Sequence, residues 1–485
     1  MTDPPNVRHV PGKPSLLLGA FDIGGVGYGA QEYFVSGTAS SYTPESELGP
    51  DGRWSITASG AADYTTRIVV LTPTDSARFN GTVLVEWLNV SGGIDAPAVW
   101  MMAHREILRS GYAYVAVSAQ KVGVDGGINM LGFDMSLKSQ DPIRYAELSH
   151  PGDAFAYDIF SQMGELARKG VLDELDVRDV IAIGESQSAM FLTTYVNAVD
   201  PLARAYDGFL VHSRFGPAAP LGEGSVFDEL QSSTTEAVKF RADLRVPLLT
   251  VITETDLFGT ARLGYLHARQ PDNELFRTWE IPGTAHADNY TIQVAPIDSG
   301  SAPIKDLVAA YAPTNNLMGQ ELDHYINFGP QHHYVVQAAV AALNAWVGTG
   351  TAPPSGPPIE VNESDPAGPT LDANGLARGG VRTPWVDVPI ARTSGDGEAP
   401  DNLMVMLFGS GEPFDDATLG RLYPGGVDEY VELFTTALDS AIQSGFVLKA
   451  DRDEILELAA ATYPSIRRAD CPVPARTPGA PGRHR

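Results

Sequence analysis

Short apolar runs alternating with helix-length amphipathic segments predict an α/β architecture with a mostly parallel central sheet and helices on both faces. Three observations carry that expectation. The runs Thr82–Leu88, Tyr112–Ser118, Val177–Ile183 and Pro247–Thr253 have the length and apolar content of buried strands. Helical periodicity occupies Ala98–Arg109 and Ala154–Arg168 between them. Two further runs, Gly208–Ser213 and Phe276–Ile281, extend the same pattern.

Taken in order, the chain starts with alternating stretches such as Ser40–Tyr42 and Tyr64–Leu71, which read as antiparallel strands preceding the parallel set. Gly24-Gly25-Val26-Gly27-Tyr28-Gly29 is glycine-rich, but no strand–turn–helix frames it. It reads as a loop and not as a dinucleotide site. Three long stretches, 121–153, 215–244 and 289–330, carry no strand signal. Loops of that length in a compact domain act as lids or hold small helices of their own. Placed at the carboxyl end of the sheet, they would wall a pocket. Met130, Leu131, Phe133, Met135, Val226, Phe227, Leu317 and Met318 are its expected apolar lining. A helix at about His332–Val347 completes a core expected to span 1–350. A Pro/Gly-rich crossing then leads into a C-terminal extension, 351–470, packed on that core. It reads as extended over 365–395 and helical over Val427–Ser444 and Asp451–Thr462. Residues 471–485, rich in Pro, Arg and Gly, read as a disordered tail.

Composition narrows the function classes. The 485-residue chain carries 60 Asp and Glu against 33 Lys and Arg, a formal charge of −27. Phosphate backbones and anionic lipid repel such a surface, so no nucleic-acid or membrane partner is expected. The single cysteine, Cys471, permits neither an intramolecular disulfide nor a thiolate zinc cluster. HExxH and clustered His/Asp sets are also missing, so neither a metal nor another cofactor is expected. The N-terminus lacks a basic region followed by a long apolar run, and no apolar stretch reaches membrane-spanning length. The cytoplasm is the expected compartment, and nothing in the sequence fixes the oligomeric state.

The strongest local motif is Ile183-Gly184-Glu185-Ser186-Gln187-Ser188-Ala189, set between a strand run and the helical run that begins at Ala189. Strand, G-x-S-x-G, helix is the nucleophile elbow of the α/β-hydrolase fold. A sharp turn exposes the serine Oγ, and the following helix N-terminus faces the charge that develops in the reaction. Ser188 stands where the second glycine is usual, and it is small enough for the same packing. Ser186 is therefore the candidate nucleophile.

A serine hydroxyl needs a base, and the base needs an orienting carboxylate. In this fold the chain order is Ser, acid, His. Among ten histidines, His286 alone follows a short strand and a Pro-Gly turn, in Trp279-Glu280-Ile281-Pro282-Gly283-Thr284-Ala285-His286. His332 and His333 open a helix and read as supporting groups, and His212 reads as a pocket-wall residue. For the acid, the strand Pro247–Thr253 runs into Glu254-Thr255-Asp256. Asp256 is favoured, with Glu254 the alternative. The oxyanion donors are expected to be the N–H of Gln187 and that of Val90 or Ser91, in the loop Asn89-Val90-Ser91-Gly92-Gly93.

With these residues in place, the chain resembles a largely uncharacterised family of bacterial α/β-hydrolase-domain proteins. The resemblance rests on Val85–Gly93, Gly184–Ser188, Thr253–Asp256 and Gly379–Pro389, and it spans most of the length. It implies a hydrolase fold and a Ser–His–acid site. The expected function is hydrolysis of a small-molecule carboxylic ester through an acyl-enzyme. The same site would serve an amidase, lactonase or acyltransferase. A non-catalytic small-molecule binding protein on this fold is the rival from another class.

Overall fold

The computed structural model describes residues 4–172, 174–226, 236–259, 263–362, 367–397 and 402–465. Its centre is a sheet of β1 (Asn6–Val10), β2 (Tyr28–Pro44), β3 (Ile56–Pro73), β4 (Thr82–Trp87), β5 (Ala113–Val117), β6 (Asp179–Glu185), β7 (Gly208–His212), β8 (Leu248–Thr253) and β9 (Phe276–Ile281). The strand order is β1-β2-β3-β5-β4-β6-β7-β8-β9. β1, β2 and β3 pair antiparallel, as does β3 with β5. From β5 to β9 every pairing is parallel. This is the α/β-hydrolase architecture, with a large and mostly parallel sheet.

Helices α1 (Ala98–Arg109), α2 (Ala156–Arg168), α3 (Gln187–Thr194), α4 (Glu254–Phe258) and α5 (Gln331–Thr349) flank the sheet, and α6 (Val427–Gln443) and α7 (Arg452–Ser465) pack on each other in the C-terminal extension. The strands alternate between two cores, because successive side chains of a strand point to opposite faces. Val83, Val85, Trp87, Val115, Val180 and Ala182 pack with α2 and α3 on one face. Leu84, Tyr114, Ala116, Ile181 and Ile183 pack with α1 and α5 on the other. Strands buried on both faces read as continuous apolar runs in sequence, which is why they are visible there.

Buried polar residues interrupt this apolar pattern, Glu86 among them. Glu86 on β4 accepts the N–H groups of Val99 and Trp100 at 2.7 and 3.0 Å and the hydroxyl of Tyr114 at 2.7 Å. It thus satisfies orphan donors at the start of α1 from within the sheet. Burial pushes its carboxyl up to about 8, against those hydrogen bonds.

Beyond α5 the chain crosses back over the end of β9. Gly379 and Gly380 take φ of 76° and 70°. A Cβ on Gly380 would lie 2.8 Å from the Glu280 carbonyl oxygen, so only glycine permits that approach. The expected extended stretch over 365–395 is corrected in part. It contains a short helix at Pro384–Asp387, and its principal strand is Ala391–Ser394, paired with Ser410–Pro413. α6 and α7 close a third cluster with Tyr334, Ile390, Tyr423, Tyr430 and Phe434. The tail expected over 471–485 and Phe227 both lie outside the described residues. Among the described residues, no helix is long and apolar enough to cross a membrane.

Candidate active site

Ser186 sits between the end of β6 and the start of α3, at φ 61° and ψ −120°. A non-glycine residue there is strained, and strain of this kind is held in place by surrounding packing. The turn is tight enough that a Cβ on Gly184 would lie 2.9 Å from Leu192 Cδ1 and 3.3 Å from Ser188 Cβ. Ser188 is fully buried against this turn. The Ser186 N–H donates to the His212 carbonyl of β7 at 3.0 Å, which fixes the elbow to the sheet. The side chain is left half-buried.

His286 reaches it from the loop after β9. His286 Nε2 lies 2.8 Å from Ser186 Oγ, and His286 Nδ1 lies 2.6 Å from Asp256 Oδ1. Asp256 is fully buried at the third position of α4. Its other oxygen accepts the Thr253 N–H at 2.9 Å and the Thr253 hydroxyl at 2.6 Å. That capping box orients the carboxylate. Burial alone would lower the His286 pKa. The Asp256 carboxylate, and more weakly that of Glu185, outweigh it and hold the imidazole above its ordinary value.

The two neighbouring acids are thereby separated. Glu254 does not meet His286. It accepts the N–H of Gly283 at 2.8 Å, the Ser394 hydroxyl at 3.0 Å and the N–H of Gly395 at 3.1 Å. It ties the turn before His286 to the C-terminal segment.

Gln187 opens α3 directly after Ser186, as the elbow motif predicts. The N–H of Val90 points at the Gln187 side-chain oxygen, 3.2 Å away. The N–H of Ser91 is turned away, to Asn89 Oδ1 at 2.8 Å. Of the two candidates in this loop, Val90 is therefore the one directed at the elbow. Gly93 takes φ 74°, and a Cβ there would lie 2.8 Å from the Phe133 carbonyl oxygen, so the first long insertion presses directly on this loop. Met130 N–H also donates to the Ser91 carbonyl at 2.8 Å.

All three insertions contribute to the roof. Phe215 stacks on the His286 ring with centroids 5.4 Å apart. It belongs to a cluster with Leu317, Leu322 and Ile326, with Met130 packed against it. Four expected lining residues are elsewhere. Phe133, Met135 and Met318 are solvent-exposed, and Val226 is buried in the core beside the sheet. A fourth contributor was not expected from sequence: Val405, Met406, Leu407 and Phe408 of the C-terminal extension. The Ala287 N–H donates to the Leu407 carbonyl at 2.9 Å, and the Asn327 N–H to that of Phe408 at 2.9 Å. The apolar run Leu403-Met404-Val405-Met406-Leu407-Phe408 was the signal available.

Glu185 also went unnoticed in the sequence. Its Oε1 lies 3.4 Å from His286 Nε2. Behind the elbow, His212 Nε2 and His332 Nε2 are 2.8 Å apart, and His332 Nδ1 lies 3.6 Å from Asp288. Both rings are fully buried. Burial, then His332 and His286, keep His212 well below the ordinary histidine range, which suits a structural contact. Among the described residues, no group of three or more His, Cys, Asp or Glu is arranged to hold a metal ion.

A family model described as "Alpha/beta hydrolase domain" matches residues 3–457. No curated protein matches the chain. Solved structures that resemble it include a provisionally identified dienelactone hydrolase from Klebsiella pneumoniae, at 14% identity over 57% of this chain and 95% of that one, with a TM-score of 0.29. A fungal esterase from Rhizomucor miehei follows at 11% identity, covering 56% and 82%, with a TM-score of 0.28. A glucuronoyl esterase from Solibacter usitatus matches at 11% identity, covering 53% and 69%, with a TM-score of 0.27.

Proposed function

We propose, for a chain that belongs to the alpha/beta hydrolase domain family, that it is a serine esterase working through an acyl-enzyme. The observation that carries this reading is the unbroken contact chain Ser186 Oγ, His286 Nε2, His286 Nδ1, Asp256 Oδ1, at 2.8 and 2.6 Å.

In this reading Ser186 Oγ attacks the ester carbonyl carbon while its proton passes to His286 Nε2. Asp256 holds Nδ1–H and stabilises the imidazolium that forms. The oxyanion is received by the N–H groups of Gln187 and Val90. Val90 already donates to an amide oxygen of Gln187, the kind of acceptor a substrate oxyanion would replace. The tetrahedral intermediate then expels the alcohol, which takes the proton from Nε2. Water repeats the sequence at the acyl-enzyme, releasing the acid and restoring Ser186.

Turnover of a 4-nitrophenyl ester series tests the activity class. Hydrolysis with a clear optimum in acyl length is expected, and inertness toward every member contradicts the reading. The pH profile gives a second test. His286 must be neutral to accept a proton, and its carboxylate neighbours raise its pKa. The unprotonated fraction therefore falls as pH drops through a value above the ordinary one of about 6.5. The acid limb of kcat/KM is expected above that value, and a midpoint clearly below it contradicts the assignment.

The roof predicts acyl selectivity. Met130 packs against the cluster that holds Phe215 over His286. Met130→Trp is expected to shorten the preferred acyl chain while leaving the melting temperature within a few degrees. An unchanged chain-length profile would show that Met130 only anchors its loop.

A further inference from the structure

Glu185 precedes Ser186 and is used by none of the steps above. Its Oε1 lies 3.4 Å from His286 Nε2, the nitrogen that also meets Ser186 Oγ. That nitrogen hands its proton to the departing alcohol, so a carboxylate this close borders the space the leaving group crosses. Asn89 Nδ2 holds the other oxygen, Oε2, at 3.3 Å and so fixes the side chain beside the Val90 loop. The side chain keeps 12% of its surface exposed, so the carboxylate is not sealed from the site.

Two further carboxylates stand near it. Asp256 stands on α4 behind His286, and Glu86 lies on the neighbouring strand β4. His212 is paired with Glu185 in the β6–β7 register and is kept neutral by burial, with His332 bonded behind it. Among the described residues, His286 is the only ion-pair partner of both Glu185 and Asp256, and no Lys or Arg pairs with either. The roof above is apolar, built from Phe215, Leu317, Ile326 and Phe408.

Resting on the serine-esterase reading, we infer that Glu185 sets the substrate class: the site takes esters of uncharged alcohols and turns away esters whose leaving group carries a carboxylate. A second negative charge in that space meets an existing one, and the buried Arg214 beside Phe215 is held by the carbonyls of Phe215, Gly216 and Val238 and not by Glu185. The attraction of Glu185 for the imidazolium form of His286 is the other side of the same arrangement, which makes it a positioning residue as well. Burial, opposed by His286 and reinforced by Asp256, pushes the Glu185 carboxyl up to about 7. The exclusion therefore strengthens as pH rises through the neutral range.

The test compares 3-carbamoylphenyl butyrate with 3-carboxyphenyl butyrate, which differ in the charge of the leaving group. The quantity read is the ratio of their kcat/KM values in the wild type between about pH 6 and 8. The expected ratio favours the neutral ester and grows by roughly tenfold across that interval. In Glu185→Gln the ratio becomes smaller and independent of pH, and the acid limb for the neutral ester moves to lower pH because His286 loses a neighbour that raises its pKa. Glu185→Asp, which keeps the charge, preserves the selectivity. A wild-type ratio that is flat with pH, or one unchanged in Glu185→Gln, overturns the inference. Should a fluorophosphonate label Ser186 while the ratio stays flat, only the role of Glu185 fails. Should neither ester be hydrolysed and Ser186 stay unlabelled, the serine-esterase reading fails with it.

Discussion

Replacing Ser186 with alanine is expected to lower kcat for ester hydrolysis by roughly 10⁴–10⁶. In the serine-esterase reading the loss is that large because Oγ forms the covalent bond, and no other hydroxyl is placed within hydrogen-bond distance of His286 Nε2 among the described residues. The fold should survive. The elbow is held by the Ser186 N–H bond to the His212 carbonyl and by the Met190 N–H bond to the Ser186 carbonyl, both of them backbone contacts. Alanine tolerates the positive φ about as poorly as serine, so the strain of the turn changes little. Turnover within tenfold of wild type, in a variant with an unchanged melting temperature, would contradict the assignment.

Asp256→Asn is expected to cost about 10⁴ in kcat. In the wild type one carboxylate oxygen receives His286 Nδ1–H and the other receives two donors from Thr253. An asparagine has one acceptor oxygen to divide between these two sides. If the oxygen stays with Thr253, the amide NH₂ faces Nδ1 and forces the imidazole into the tautomer whose Nε2 carries the proton. Glu254→Gln should behave differently. Its two oxygens accept three donors from Gly283, Ser394 and Gly395, so an amide NH₂ there must face a donor. The expected result is a stability loss of about 1–3 kcal/mol with turnover within about tenfold of wild type. The opposite ranking in turnover would transfer the acid role to Glu254.

The contrast between these two acids shows where sequence reasoning succeeds and where it stops. The parallel strands were legible because burial on both faces turns each into a short apolar run: β9 falls on Phe276–Ile281 and α1 on Ala98–Arg109, as read from the pattern. Ser186, His286 and Asp256 were legible because each stands at a strand end with a recognisable turn chemistry, and the structure brings the three into contact. The separation of Asp256 from Glu254 depends on the α4 capping box, which aims one carboxylate at His286 and the other at Gly283 and Gly395. The orientation of the Val90 and Ser91 N–H groups likewise depends on the Asn89 side chain.

The roof was legible only in outline. The three insertions do converge near Phe215, but side-chain direction within them is set by irregular loops without periodicity. Met130 and Leu317 turn inward while Phe133 and Met318 face solvent. The contribution of Val405–Phe408 comes from more than a hundred residues beyond His286 in the chain, and no local pattern fixes such a contact. Glu185 was overlooked because an acid beside a nucleophile has no fixed meaning until the imidazole is placed 3.4 Å from it.

The central claim is that Ser186 is the activated nucleophile. Labelling the wild-type protein with a fluorophosphonate and locating the adduct by peptide mass spectrometry tests it most directly. The account predicts one stoichiometric adduct on the peptide containing Gly184-Glu185-Ser186, its loss in Ser186→Ala, and strong slowing in His286→Ala. An unmodified Ser186, or an equally fast adduct on another serine, would contradict it.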